Sequence, residues 1–270
     1  MKIAIITGDH PRHKYFVDYV SKLDLEVIWI IQERENFLPS SPFKNIDIKY
    51  SKLFKIHFDQ RFETEHKFFK DSGNVASKNI DNIIKIKSED LKNDKLLNLI
   101  KNETIDILIS YGCYKLDDKI LNLVKKFCWN VHGGLSPWYR GAATHFWPTY
   151  MLEPQFTGMT LHETTQNIDW GDIIHQTSIN LSKEDGVHDN ACRAVVEFSH
   201  DIYNKLKLNI DQLDKIKPIQ NITSGRIWTT SMWHPGHLEL IYNVYENKVN
   251  KFCLENNFCL RVPKLKSVFN

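Results

Sequence analysis

Apolar runs of strand length alternate with amphipathic stretches of helix length over most of this chain. That alternation limits the fold more than any other feature. Lys2–Thr7 is a buried-type strand closed by Gly8, Tyr15–Leu23 has helical periodicity, and Leu25–Ile31 is a second strand. Strand, helix and strand at this spacing form a βαβ unit. From Gln32 to Ile56 the pattern is loose and polar, with Pro39 and Pro42. It resumes at Arg61–Lys70, a helical stretch whose Phe62, Phe68 and Phe69 read as core. A weak strand at Ile83–Ile86 precedes Ser88-Glu89-Asp90, which caps a helix over Leu91–Asn102. Ile105–Ser110 is a strand turned by Tyr111-Gly112-Cys113. Asp117–Phe127 reads as a helix, Trp129–His132 as a strand and Thr144–Leu152 as a helix. Apolar runs at Gly158–Glu163 and Ile173–Asn180 lead into a long amphipathic helix, Asp189–Leu208. The expectation is an α/β fold built on a doubly wound, mostly parallel sheet.

After about Leu213 the pattern changes. Pro218, Gly225 and Pro235 punctuate a segment with Trp228, Trp233 and His237, followed by a helix over Leu238–Val249 and a basic tail. Residues 1–212 therefore read as the sheet domain and 213–270 as a short C-terminal extension. A length of 270 residues, 42% of them apolar and 25% charged, is ordinary for a globular chain with a sizeable core. The net charge of +2, with no dense basic block, argues against a nucleic-acid partner. The five cysteines are irregularly spaced, with no Cys-x-x-Cys. That pattern fits reduced thiols in the cytoplasm better than disulfides or a metal site. The first apolar run is too short for a signal peptide, and none approaches the ~18 residues of a membrane span.

The chemistry concentrates in Cys128-Trp129-Asn130-Val131-His132-Gly133-Gly134-Leu135-Ser136-Pro137-Trp138-Tyr139-Arg140-Gly141. Asn130 and His132 are two apart, which in a strand puts both side chains on one face. The glycines and Ser-Pro then end the strand, at the kind of sheet edge where α/β proteins build sites. An amide can donate to an oxyanion without titrating, and an imidazole can also move protons near neutral pH. Asp169, in a loop held by Gly171, is the carboxylate able to orient His132. No Ser or Cys sits in a Gly-x-Ser-x-Gly elbow, so direct transfer between two bound molecules is favoured over a covalent acyl-enzyme.

Together, Asn130-Val131-His132, Leu135-Ser136-Pro137-x-Tyr139-Arg140-Gly141, Gly158-x-Thr160-x-His162 and Asp169-x-Gly171-Asp172-Ile173 resemble the folate-dependent formyltransferase family. The resemblance is strongest from Ile105 to Gln176. It implies a Rossmann-like core and transfer of a formyl group from 10-formyltetrahydrofolate to a primary amine, without a metal. Carried over by position, Asn130 and His132 polarise the formyl oxygen and stabilise the tetrahedral intermediate. Asp169 positions His132 and helps remove the amine proton, while Thr160 and His162 shape the site behind them. The folate would lie along Ile109–Leu116, near Tyr111, Gly112, Lys115 and Leu116, with Asp172 nearby.

The amine acceptor is less legible. The ribotide-specific branch of the family carries a Gly-rich phosphate loop after the first strand, where this chain has Gly8-Asp9-His10-Pro11-Arg12-His13. The tRNA-specific branch carries a long basic C-terminal domain. The sugar branch, whose products enter bacterial O-antigen and lipopolysaccharide, fits the length best. It implies an acceptor such as dTDP-4-amino-4,6-dideoxyglucose, with Gly8, Arg12, His13, Tyr139 and Arg140 as substrate contacts. Arg12, His13 and Arg140 are the candidates for meeting the pyrophosphate. Arg12 and His13 equally suit a solvated loop, and Arg140 an anchor for its own loop. A glycinamide ribonucleotide formyltransferase and a catalytically inactive nucleotide-sugar-binding protein are the alternatives. Water as acceptor, giving formylfolate hydrolysis, is a third. Tyr111, Trp138, Tyr139, Trp147 and Trp170 flank the motifs and suit either core packing or stacking on a base. Trp228, Trp233, Leu238, Leu240, Ile241 and Val244 offer a homodimer surface or internal packing.

Overall fold

The computed structural model describes residues 1–33, 46–91, 94–222 and 226–269. Pro39, Pro42 and Gly225 lie outside them. The strands are β1 (Lys2–Gly8), β2 (Glu26–Gln32), β3 (Asn82–Ile86), β4 (Ile107–Tyr111), β5 (Phe127–His132), β6 (Arg140–Gly141), β7 (Gly158–Glu163), β8 (Ile173–Ser178) and β9 (Ile227–Trp228). The helices are α1 (Pro11–Val20), α2 (Ile48–Phe69), α3 (Ala76–Asn79), α4 (Asp94–Glu103), α5 (Asp118–Leu121), α6 (Trp147–Tyr150), α7 (Val187–Asn209) and α8 (Val249–Glu255). A seven-stranded sheet runs β3-β2-β1-β4-β5-β7-β8. Its first five strands are parallel, and β7 and β8 are antiparallel to their neighbours. The sheet is therefore mostly parallel, covered by helices on both faces, as the alternation of elements requires.

Burial follows the two-residue period of the strands. Ile3, Ile5, Ile107, Ile109, Trp129 and Val131 pack against Phe16 and Val17 of α1 and Val195, Phe198 and Ile202 of α7. Ala4, Ile6, Ile28, Ile30 and Leu108 pack on the other face against Leu96 and Ile100 of α4. Pro11 opens α1 at a position where its missing N–H costs nothing. Asp47 caps α2 by accepting from the Lys49 amide.

Several elements differ from the sequence reading, each for a local reason. The helix expected from Arg61 begins far earlier, at Ile48, and its burial runs through Leu53, His57, Phe58, Glu65 and Phe69. Phe62 is on its solvent side, 69% exposed, and is not core. The helix expected over Asp117–Phe127 stops at Leu121, because the amides of Lys125, Lys126 and Phe127 bond the carbonyls of Ile105 and Asp106 as the chain enters β5. Thr144–Leu152 shortens to α6, and Leu152 already has φ +58°. In place of a helix over Leu238–Val249 there is a short π-helix, Glu239–Val244, ended by positive φ at Glu246 and Asn247 before α8 begins.

The C-terminal residues fold back onto the sheet. β9 pairs with β6, Phe269 joins the core beneath α7, and Trp233, Leu238 and Ile241 pack with Phe58, Phe146 and Trp147. Trp228, Trp233, Leu238 and Ile241 are thus buried within the chain, while Val244 is 64% exposed. Internal packing accounts for most of the surface offered above for a dimer. No helix among the described residues is long and apolar enough to cross a membrane.

Gly141 joins this packing to the site. Its φ is +97°, and a Cβ there would lie 2.2 Å from the Trp228 carbonyl oxygen. Gly141→Ala should therefore destabilise the protein by about 2 kcal/mol or more, read as a fall in the urea midpoint at unchanged slope.

Candidate active site

The register of the sheet sets polar residues side by side. Ser110 on β4 pairs with Asn130 on β5, and Asn130 with His162 on β7. One step along, His132 pairs with Thr160, and Thr160 with Gln176 on β8. Ser110 continues the face of Leu108, and Asn130 that of Cys128, so both rows lie beyond the apolar part of that face.

Hydrogen bonds run along the first row. The Ser110 hydroxyl donates to Oδ1 of Asn130 (2.8 Å), Nδ2 of Asn130 donates to Nε2 of His162 (3.2 Å), and Nδ1 of His162 donates to the Glu163 carbonyl (2.7 Å). A carbonyl only accepts, so Nδ1 of His162 carries a proton. The Asn130 amide is thereby turned with Oδ1 toward Ser110 and Nδ2 toward His162. The second row secures the following loop. Thr160 donates to the Gly134 carbonyl (2.7 Å) and accepts from the Ser136 amide (3.1 Å), and Gln176 donates to the Ser136 carbonyl (2.6 Å). Nε2 of His132 then donates to the Tyr139 carbonyl (2.8 Å).

Asp169 closes the constellation. Its carboxylate lies 3.3 Å from Nδ1 of His132 and 3.5 Å from Nε2 of His162, and accepts from the Gly141 amide (2.8 Å). Its backbone is left-handed, φ +46°, which Asp tolerates better than most residues. Two contacts hold this loop. Gly171 packs so tightly on the Glu163 carbonyl that a Cβ would lie 1.7 Å from it, and Asn221 donates to the carbonyls of Asp169 (3.3 Å) and Gly171 (3.2 Å). Burial raises the Asp169 pKa, but His132 first, then His162 and the Gly141 amide, outweigh it and bring the value to about 2. His132 is lowered from 6.5 by burial, against the opposing pull of Asp169 and the Tyr139 carbonyl. The pair is therefore an ionised carboxylate beside a neutral imidazole. Once protonated, that imidazole would have an acceptor at each nitrogen.

Asn130, His132 and Asp169 line a cavity of about 590 Å³, which the turn Tyr111-Gly112-Cys113 and the loop Gly141–His145 also bound. Its far wall comes from α2 and α7, through Phe54, His57, Phe58, Arg61, Glu65 and His188, with Arg12, Thr230 and Trp233. Gly112, at φ +63°, lets this turn approach the His13 ring, which a Cβ would meet at 2.3 Å.

The sequence-derived residues divide accordingly. Arg12, His13, Tyr111 and Gly112 line the cavity with Asn130, His132 and Asp169. Gly8 does not: it packs against His13 and the Gly112 carbonyl. Tyr139 is buried, its hydroxyl donating to Glu153 (3.0 Å) and its ring stacked on Trp228. Arg140 is buried under the exposed ring of Trp170, 4.5 Å away, outside the cavity wall. Gly8, Tyr139 and Arg140 are thus not among the residues that line this cavity. Leu116 is core, Lys115 bridges to the loop before Asp169 through Gln166 (2.7 Å), and the Asp172 carboxylate accepts from the Asn221 amide (3.1 Å). Trp138 and Trp147 pack in the second apolar cluster. Sequence reasoning missed Ser110, Asn221 and the α2 wall. Of these only the wall left a trace: His57, Arg61 and Glu65 recur every four residues, one face of a helix.

The profile of the formyl transferase family matches residues 54–205, more than half of the chain. The chain belongs to the formyl transferase family. Within this family, a methionyl-tRNA formyltransferase of Blochmanniella floridana is 38% identical over 110 residues, 39% of this chain and 33% of that protein. The chain thus spans about a third of that curated relative's length. Among solved structures, a formyltransferase from Anoxybacillus kamchatkensis, in complex with UDP-4,6-dideoxy-4-formamido-L-AltNAc and tetrahydrofolate, superposes with a TM-score of 0.52 at 17% identity, covering 93% of this chain and 97% of that one. The phosphoribosylglycinamide formyltransferase of Anaplasma phagocytophilum gives 0.54 at 16%, covering 85% and 97%. At these identities the likeness is one of fold, and the family's acceptors differ among the three.

Two measurements check this geometry without any assay of activity. Ser110→Ala should shift the side-chain amide resonances of Asn130 in ¹⁵N-labelled protein, because their orienting bond is lost. His132 should titrate below 6.5 by ring NMR, and lower still in Asp169→Asn, since the carboxylate that favours the imidazolium is gone.

Proposed function

We propose that this chain transfers a formyl group from 10-formyltetrahydrofolate to the amine of a nucleotide-linked amino sugar, such as a dTDP-linked amino-dideoxy hexose. One observation carries the reading: an orienting row turns the Asn130 amide toward the same cavity in which a neutral His132 is backed by an ionised Asp169. The donor supplies an activated formyl carbon. The Tyr111–Cys113 turn and the loop before Asp169, which Lys115 bridges through Gln166, would hold it.

The remaining chemistry is derived from the chain's own residues. An attacking amine must be neutral, and His132 accepts the proton it sheds, either directly or through water. The resulting imidazolium is stabilised by Asp169 on one side and the Tyr139 carbonyl on the other. Negative charge developing on the acyl oxygen is met by the Asn130 N–H, a donor already in place and partly shielded from water. Transfer is completed as the bond between the formyl carbon and the donor nitrogen breaks, that nitrogen leaving with the proton His132 had taken up, so no step requires a nucleophilic side chain. The sugar acceptor rests on the cavity's size and on its mixture of aromatic and cationic walls.

A screen of 10-formyltetrahydrofolate against dTDP-, UDP- and GDP-linked amino sugars, with glycinamide ribonucleotide alongside, tests the acceptor. Turnover of a sugar nucleotide is expected; turnover of the ribotide alone would replace this reading with the purine one. His132→Ala and Asn130→Ala should each lower kcat by roughly a hundredfold while leaving ligand binding largely intact. Near wild-type turnover in His132→Ala would refute the mechanism.

A further inference from the structure

The same cavity is also lined by residues of α1 and α2. Arg12 and Arg61 converge on a single carboxylate oxygen, Oε1 of Glu65, at 2.5 and 2.8 Å. Each guanidinium spends one N–H on it and has five. Two cations share one anion, so a net positive charge faces the cavity. Burial alone would raise Glu65, yet Arg12 and Arg61 outweigh it and hold the carboxylate at about 2, so the charge count stands at neutral pH. Beside them, Tyr111 is 4% exposed and its hydroxyl has no hydrogen-bond partner among the described residues. A buried hydroxyl left without a partner costs free energy unless a ligand completes it.

We propose that Arg12, Arg61 and the Tyr111 hydroxyl form an anion subsite for the phosphate groups of the acceptor, with Glu65 as a built-in counterion that holds the two guanidinium groups together until the ligand arrives. The paired planar forks suit the several oxygens of a diphosphate. The same cavity is lined by the Asp169 carboxylate and by this cationic pair. This subsite rests on the formyl-transfer reading for its purpose, but its existence is measurable without it.

The test is calorimetric titration of the whole protein with inorganic pyrophosphate and, separately, inorganic phosphate, at low salt. Pyrophosphate should bind more tightly than phosphate and weaken as salt rises. Arg61→Gln should weaken pyrophosphate binding about tenfold or more, and Tyr111→Phe about fivefold, the worth of one net hydrogen bond. Glu65→Gln should strengthen it, because the anion no longer competes with a resident carboxylate. Should Arg61→Gln fold poorly, Arg61→Lys keeps the charge but loses the fork, and should weaken diphosphate more than monophosphate. Competition by dTDP and by ribose 5-phosphate then separates a nucleotide diphosphate from a ribotide source. The proposal is overturned if pyrophosphate does not bind, if its affinity is unmoved in Arg61→Gln, or if Glu65→Gln weakens it. A protein that binds pyrophosphate in this way but formylates no amine would instead refute the formyl-transfer reading alone.

Discussion

A carboxylate kept ionised away from water organises this molecule. Asp169 stays charged because two imidazoles and a backbone amide surround it. Each of those partners makes a demand on the fold. His132 and His162 must come from adjacent antiparallel strands, β5 and β7. The Gly141 amide must be presented by a loop that only a glycine's backbone allows beside Trp228. The left-handed turn that delivers Asp169 must be clamped from outside, by Asn221. Without those contacts the buried charge would be costly, and the loop would lose its reason to close over the sheet.

The cavity inherits charge from this arrangement. One group of lining residues pairs the Asp169 carboxylate with His132, and another sets Arg12 and Arg61 on Glu65. The cavity also holds aromatic side chains and histidines that burial keeps neutral; His145 and His188 are both lowered to about 3, burial being the main cause.

The sheet, its parallel core and the long helix α7 were legible in the sequence because each rests on local periodicity. The lengths of α5, α6 and the π-helical turn were not, since each is ended by a contact or backbone conformation that is non-local or carries no apolar signal. The Lys125–Phe127 amides are taken by the carbonyls of Ile105 and Asp106, just before β4. Asn130, His132 and Asp169 were legible as a set, and so was Arg12 as a cation near the site. Ser110 was not: a single hydroxyl in a strand of isoleucines means nothing until register places it beside Asn130. Tyr139 and Arg140 read as ligand contacts because they sit within the motif; in the fold Tyr139 bonds Glu153 and Arg140 packs on Trp170.

By itself, then, the sequence determined the order of strands and helices, the polar set Asn130, His132 and Asp169, and the family to which the chain belongs, because strand and helix periods and short motif spacings are local properties. Tertiary structure alone decided what faces the cavity. The wall from α2, the clamp from Asn221 and the row through Ser110 join residues far apart in the chain, and only strand register and helix packing bring them within hydrogen-bond distance.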